Sequence, residues 1–154
     1  IKDIFNGRGI TKSIHTKNNM DGVDKTIEVL KKENRGIIFT NLVDFDAKYG
    51  HRRNVIGYKN ALEEFDRRVP EILAWLRAND LIIFAADHGN DPTHIGTDHT
   101  REYVPIVVFG EWVKPGVNIG TRASLSDIGA TVADILQIQM PKHGKSFKDL
   151  ILIK

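Results

Sequence analysis

Leu81-Ile82-Ile83-Phe84-Ala85-Ala86 is apolar at six consecutive positions and then stops at Asp87-His88. A second run, Gly36-Ile37-Ile38-Phe39-Thr40-Asn41-Leu42-Val43, is β-branched and aromatic and ends at Asp44-Phe45-Asp46, with His51 close behind. A strand that is apolar on both faces belongs inside a helix-covered sheet, because each face needs its own cover. Between and after these runs the apolar spacing changes to threes and fours. Ile27 and Leu30 follow it over 24–32. Tyr58, Ala61, Leu62, Phe65, Val69, Ile72, Leu73 and Leu76 follow it over a longer stretch, and Ile128, Val132, Ile135 and Leu136 do so near the end. Strands alternating with helices of this length predict an α/β fold with a mostly parallel sheet, whose ligands gather at the carboxyl ends of the strands.

Local signals place the remaining elements. Ile4-Phe5 predicts a short strand. Asp21 or Asp24 is expected to cap the first helix, and Asn34-Arg35-Gly36 to end it. Residues 44–54 read as a loop. Pro70 lacks a backbone donor and predicts a kink or break near Arg68-Val69. Pro105 marks the start or edge of a strand over 104–110. Ser124 or Ser126 caps the helix that follows, and a short helix is expected around 146–151. Gly7-Arg8-Gly9 is read as a turn, since neither a third glycine nor a Gly-Lys-Ser/Thr follows it.

Composition narrows the chemistry. The 154 residues suffice for one core, and a net charge of +2 gives no reason to invoke nucleic acid or an anionic membrane. No apolar run reaches a membrane span and no signal-peptide pattern opens the chain, so a cytoplasmic protein is expected. The chain opens at Ile1-Lys2-Asp3-Ile4-Phe5 without an initiator Met, which reads as part of a longer protein. There is no cysteine, so any metal must be held by oxygen and nitrogen.

Two acids, Asp46 and Asp87, and three imidazoles, His51, His88 and His99, stand at or just beyond the ends of the apolar runs. Mixed carboxylate and imidazole donors suit Mn or Zn better than Ca. Five ligands are too many for one catalytic ion with an open position and too few for two fully held ions. The mismatch predicts a two-metal site with at least one ligand elsewhere, a device suited to phosphoryl transfer. Asp44 is an alternative to Asp46, or a supporting partner or helix cap. Arg52 and Arg53 are either a solvated pair or orient a phosphate or a ligand carboxylate. His94 lies between two candidate ligands and is read as a loop histidine that can line the cleft, whereas His15 and His143 are read as surface histidines.

The runs Asn41-Leu42-Val43-Asp44-Phe45-Asp46 and Tyr49-Gly50-His51-Arg52-Arg53 resemble the bacterial phosphopentomutases of the alkaline phosphatase superfamily. So do Ala86-Asp87-His88-Gly89-Asn90-Asp91-Pro92-Thr93 and Gly96-Thr97-Asp98-His99-Thr100-Arg101-Glu102-Tyr103-Val104-Pro105. Further matches stand at Gly57-Tyr58 and Ala61-Leu62-Glu63, at Asp127-Ile128-Gly129-Ala130-Thr131, and at Gly144-Lys145-Ser146-Phe147. The resemblance covers essentially the whole chain and only the C-terminal part of the family's sequence. It implies an alkaline-phosphatase-like three-layer core, with residues 1–154 as the C-terminal part of the metal-binding core domain and with the cap domain and N-terminal strands absent.

The implied activity interconverts the 1- and 5-phosphates of ribose and deoxyribose through a phosphothreonine enzyme and a bisphosphate intermediate. Two Mn ions serve it, and glucose 1,6-bisphosphate can prime it. The resemblance assigns Asp87 and His88 to one ion, and Asp46, His51 and His99 to the other. The family's early Asp and its nucleophilic threonine match nothing in this sequence. No catalytic residue is therefore assigned, the threonine is expected upstream of Ile1, and the missing N-terminal part of the chain is an expected partner. Thr97 and Thr100 belong to the histidine loop. Two other readings stay open: another member of the superfamily, such as a cofactor-independent phosphoglycerate mutase or a phosphodiesterase, and a non-catalytic metal-binding domain.

Overall fold

The computed structural model describes residues 1–32 and 35–153. The chain is α/β and forms two compact units: one comprises 1–76 and 88–103, the other 77–87 and 104–154.

The first unit is built on two helices, α1 (Asn19–Lys32) and α2 (Val55–Leu73). Helix α1 starts earlier than its apolar spacing predicts. Its first turn is capped by Asn18, whose side-chain oxygen accepts from the Asp21 amide at 2.9 Å, so neither Asp21 nor Asp24 is the cap. Asn34, expected at its end, lies outside the described residues. Val23, Ile27 and Leu30 of α1 and Ala61 and Ile72 of α2 are buried. Arg68 of α2 ties the helices together by donating to Asp24 of α1 at 2.7 Å, and is steadied within its own helix by Glu71 at 2.6 Å. Asn54 caps α2 by accepting from the Gly57 amide at 2.8 Å. The helix runs through Pro70 without a break and ends three residues later, so the lost donor falls in its last turn.

Residues 44–54, read as a loop, contain a π-helix over Phe45–Gly50. Phe45 holds it against α2 through Tyr58 and Phe65, at centroid distances of 6.0 and 6.2 Å. Asp44 and Asn19 exchange reciprocal hydrogen bonds of 2.9 and 3.0 Å, which fasten the start of the π-helix to the start of α1.

The two predicted strands of this unit do not form among the described residues. Residues 2–9 are turns, with Ile4 and Phe5 exposed. Over 37–43 no ladder partner is present. Thr40 bonds Thr26 of α1 at 2.6 Å, while Ile37 and Phe39 remain 62% and 66% exposed. Apolarity signals a need for cover, but a strand also needs a neighbour for its N–H and C=O groups.

The second unit holds β1 (Ile82–Ala85) and β2 (Ile106–Phe109), paired antiparallel with Ile82 opposite Phe109 and Ala85 opposite Ile106. The expected sheet was mostly parallel; the described one is two-stranded and antiparallel. The chain between the two strands contains no helix, so it supplies none of the crossover that parallel pairing needs. Ile106 and Val108 pack on Phe147, Ile151 and Leu152, together with Trp112, Val113 and Ile119. Helix α3 (Ser126–Ile135) and the one-turn α4 (Lys148–Ile151) complete this core. Leu125, not Ser124 or Ser126, stands at the N-cap of α3, and the Ser124 hydroxyl accepts from the Ser126 amide at 3.1 Å just ahead of it. Among the described residues no helix is long and apolar enough to cross a membrane.

Candidate metal centre

The π-helix decides how Asp46 and His51 face. Five residues along a regular α-helix rotate a side chain by about 140° past a full turn. Here the His51 amide donates to the Asp46 carbonyl at 3.0 Å, a five-residue hydrogen bond that closes a wider turn. The two side chains then meet, with His51 Nε2 3.4 Å from Asp46 Oδ2.

The loop after His88 brings in the other imidazoles. Gly89 and Thr100 form an isolated antiparallel bridge, with the Thr100 amide donating to the Gly89 carbonyl at 3.1 Å. Their neighbours His88 and His99 are thereby set side by side, with rings stacked at 3.7 Å between centroids. A Cβ on Gly89 would stand 2.9 Å from the Thr100 carbonyl oxygen, so the bridge requires glycine. His99 Nε2 lies 3.3 Å from Asp46 Oδ1, and its ring is 4.7 Å from that of His51. One ligand atom each from Asp46, His88 and His99 fall within 4.8 Å of one another.

The donor set fits a divalent cation. His51 Nδ1 contacts the Thr97 carbonyl and His88 Nδ1 lies 3.2 Å from the Gly89 carbonyl. A carbonyl only accepts, so both Nδ1 atoms carry the hydrogen. In the neutral rings Nε2 is then a lone pair. For His51 that lone pair and a carboxylate oxygen of Asp46 lie 3.4 Å apart, two donor atoms that would suit a divalent cation. Imidazoles with the distal nitrogen tied to a backbone carbonyl are the usual form of metal-ligating histidine.

The remaining predicted residues divide. Asp44 is committed to the Asn19 amide at 3.0 Å and to Lys48 at 3.1 Å, and so acts as a structural fastening. Arg52 is exposed. Arg53 points its guanidinium at the histidine loop. His94 is exposed, and its amide bonds the Asp91 carbonyl at 3.2 Å. Asp87 is exposed just after β1 of the second unit. Thr100 is occupied: its hydroxyl donates to Glu102 and accepts from the Asp91 amide at 2.7 Å.

Two residues are added by the structure. Asn90 is buried and donates from Nδ2 to Asp46 Oδ1 at 2.6 Å. Gly50 makes room for it, since a Cβ there would fall 2.5 Å from Asn90 Nδ2. Both stand within the quoted motifs, Gly50 next to His51 and Asn90 two residues after His88, and that closeness was their signal. Electrostatics add two directions. Burial, then the carboxylates of Asp46 and Glu102, push the Tyr58 phenol up, so it stays protonated. The Thr93 hydroxyl and amide hold the Asp91 carboxyl below its ordinary value, with His94 and Arg53 adding to the effect.

The chain is 69% identical over 152 residues to a phosphopentomutase of Alkaliphilus metalliredigens, a match that covers 99% of this chain and 39% of that protein. It is 62% identical over 148 residues to a phosphopentomutase of Clostridioides difficile, covering 96% and 38%. With that of Symbiobacterium thermophilum it shares 58% over 151 residues, covering 98% and 38%. The chain thus spans about 39% of the length of the curated relatives it matches. Residues 2–140 match the family model of the Metalloenzyme superfamily. A converging carboxylate and imidazole set on a chain that fits this family from residue 2 to residue 140 has one reading: the chain belongs to the Metalloenzyme superfamily.

Proposed function

We propose that this chain is the metal-holding part of a phosphopentomutase, which interconverts ribose or deoxyribose 1-phosphate and 5-phosphate. The observation that carries the reading is the convergence of Asp46, His88 and His99 within a sequence 69% identical to a phosphopentomutase. Asp46, His51 and His99 would hold one Mn ion; Asp87 and His88 would contribute to a second. Bound there, the ions would stabilise charge on the transferring phosphoryl oxygens and acidify the attacking hydroxyl.

The chain's own residues do the holding. Asn90 fixes one oxygen of Asp46, and the Thr97 and Gly89 carbonyls fix the tautomers of His51 and His88. Tyr58 stays a neutral phenol beside them. The family resemblance puts the phosphorylated threonine in the part of the relatives' length that this chain does not span; Thr100 serves the loop, bonded to Glu102 and the Asp91 amide. Glucose 1,6-bisphosphate is the proposed activator, and the cytoplasm the proposed location.

The test is an assay of the full-length protein on deoxyribose 1-phosphate with Mn as the only divalent cation. Turnover to the 5-phosphate that is lost on chelation is expected. Turnover of phosphoglycerates with none of pentose phosphates would replace this reading by another member of the superfamily. Metal binding with no turnover of either would leave a binding domain. The 154-residue chain alone should show no mutase turnover.

A further inference from the structure

We propose that Arg53 and Asn90 form a positioning relay that sets the Asp46 carboxylate and holds the 88–99 loop in register. This inference rests on the metal-holding reading of Asp46, His88 and His99.

Arg53 follows the π-helix with a left-handed backbone, φ +50°, a conformation uncommon outside glycine. The turn sends its side chain across to the histidine loop. Nη1 donates to the Gly50 carbonyl at 3.1 Å, the Asp91 carbonyl at 2.8 Å and Asn90 Oδ1 at 2.7 Å. Nη2 donates to the Asp98 carbonyl at 2.6 Å, and Nε to the Gly96 carbonyl. One guanidinium therefore grips the loop at its start, through Asn90 and Asp91, and at its end, through Gly96 and Asp98, beside His99. Its hydrogens are nearly all committed. Nε carries one, the two on Nη1 serve three acceptors, and one of two on Nη2 is taken. No parallel pair is left for bidentate grip of a phosphate, so the residue works on the loop rather than on substrate.

Asn90 passes the constraint on. It is 8% exposed, and its amide has one orientation that satisfies both ends. A guanidinium only donates, so Oδ1 must face Arg53. An ionised carboxylate only accepts, so Nδ2 must face Asp46. Gly50 leaves the space in which this amide lies. Asp46 Oδ1 is thereby pinned at 2.6 Å while remaining 3.3 Å from His99 Nε2. Lysine at 53 would keep the charge but not the fork that reaches four carbonyls and an amide at once.

The test uses the full-length protein with Mn and, separately, Co as probes. Mn affinity is read by calorimetry, and the geometry of bound Co by its visible absorption. Arg53→Lys and Asn90→Leu are each expected to weaken Mn binding by about 10- to 100-fold, the range for groups that support metal ligands. Each should also change the Co spectrum at saturating metal, whereas a merely structural role would lower the melting temperature and leave that spectrum intact. Gly50→Ala should reproduce the Asn90→Leu spectrum by displacing the amide. Variants that bind Mn as the wild type does, or keep its Co spectrum, overturn the relay and leave the metal reading standing. Wild-type protein that binds no Mn overturns both.

Discussion

The histidine loop of the first unit and the 144–152 segment of the second are both short stretches pinned by side chains, and they are pinned by opposite means. The loop is held by hydrogen bonds to one guanidinium, and residues 93–99 are all exposed. The 144–152 segment is held by burial: Phe147, Ile151 and Leu152 are within the core, and polar fastenings close around them. Arg122 pairs with buried Asp127 at 2.8 Å, and the Lys145 amide donates to the same carboxylate at 2.8 Å. Thr131 donates to the Asp127 carbonyl and accepts from the Phe147 amide. Apolar contacts set stability, whereas a loop proposed to carry metal ligands needs its atoms placed and contributes little to stability.

The largest effect should therefore come from Phe147→Ala. The ring is 1% exposed and belongs, with Ile151 and Leu152, to the core cluster on which residues of β2 and α3 pack, so its removal is expected to cost about 3–5 kcal/mol. Denaturant unfolding of the full-length protein, read by amide exchange over 147–152, checks it; a loss under about 1 kcal/mol would deny this segment its role as core.

Thr131→Val comes next. The side chain is fully buried at 0% exposure, and the swap keeps its shape while leaving the Phe147 amide without its 3.0 Å acceptor. About 1–3 kcal/mol should be lost, the desolvation cost of one buried donor. An unchanged unfolding midpoint would show that another acceptor takes the amide.

Acid should act on the same segment. The Lys145 amide, then the Arg122 guanidinium, hold the Asp127 carboxyl below its ordinary value. The Ser146 hydroxyl, then Lys148, do so for Asp134. A depressed folded value means that the stabilisation is complete above the unfolded carboxyl pKa, about 3.9, and is lost as pH falls through the folded value. Exchange over 144–148 should therefore rise below about pH 4. Asp134→Asn should flatten that pH response, and an equal response in the variant would remove Asp134 from the account.

Much of this contrast could be read in the sequence, for reasons that differ by residue. Helical spacing located α1, α2 and α3, because a helix satisfies its own backbone and needs only one covered face. The apolar runs at 82–85 and 106–109 became strands because each found the other. The equally apolar 37–43 did not, since pairing depends on a neighbour that a single run cannot name. Asp46 and His88 were legible as ligand types just past the ends of apolar runs and His99 in the loop that follows, and the structure brings these three together. Arg53 and Asn90 were not legible as a relay. Arginine and asparagine beside histidines fit many roles, and only the path of a left-handed residue shows which carbonyls the guanidinium reaches.

The smallest stability effect should come from the change most damaging to the site. His99 is 47% exposed; it stacks on His88 and meets Asp46 at 3.3 Å. Removing it opens no buried cavity and deletes no apolar contact of the core, so His99→Ala should move stability by no more than about 0.5 kcal/mol. Mn affinity should nevertheless fall by more than the about 100-fold that loss of a supporting residue costs, because a donor atom itself is gone. Calorimetry and denaturant unfolding on one preparation decide the matter. If His99→Ala unfolds as readily as Phe147→Ala, the loop is part of the scaffold and the contrast fails. If it binds Mn normally, the imidazole is not a ligand, and the stacked pair of rings packs for reasons unrelated to metal.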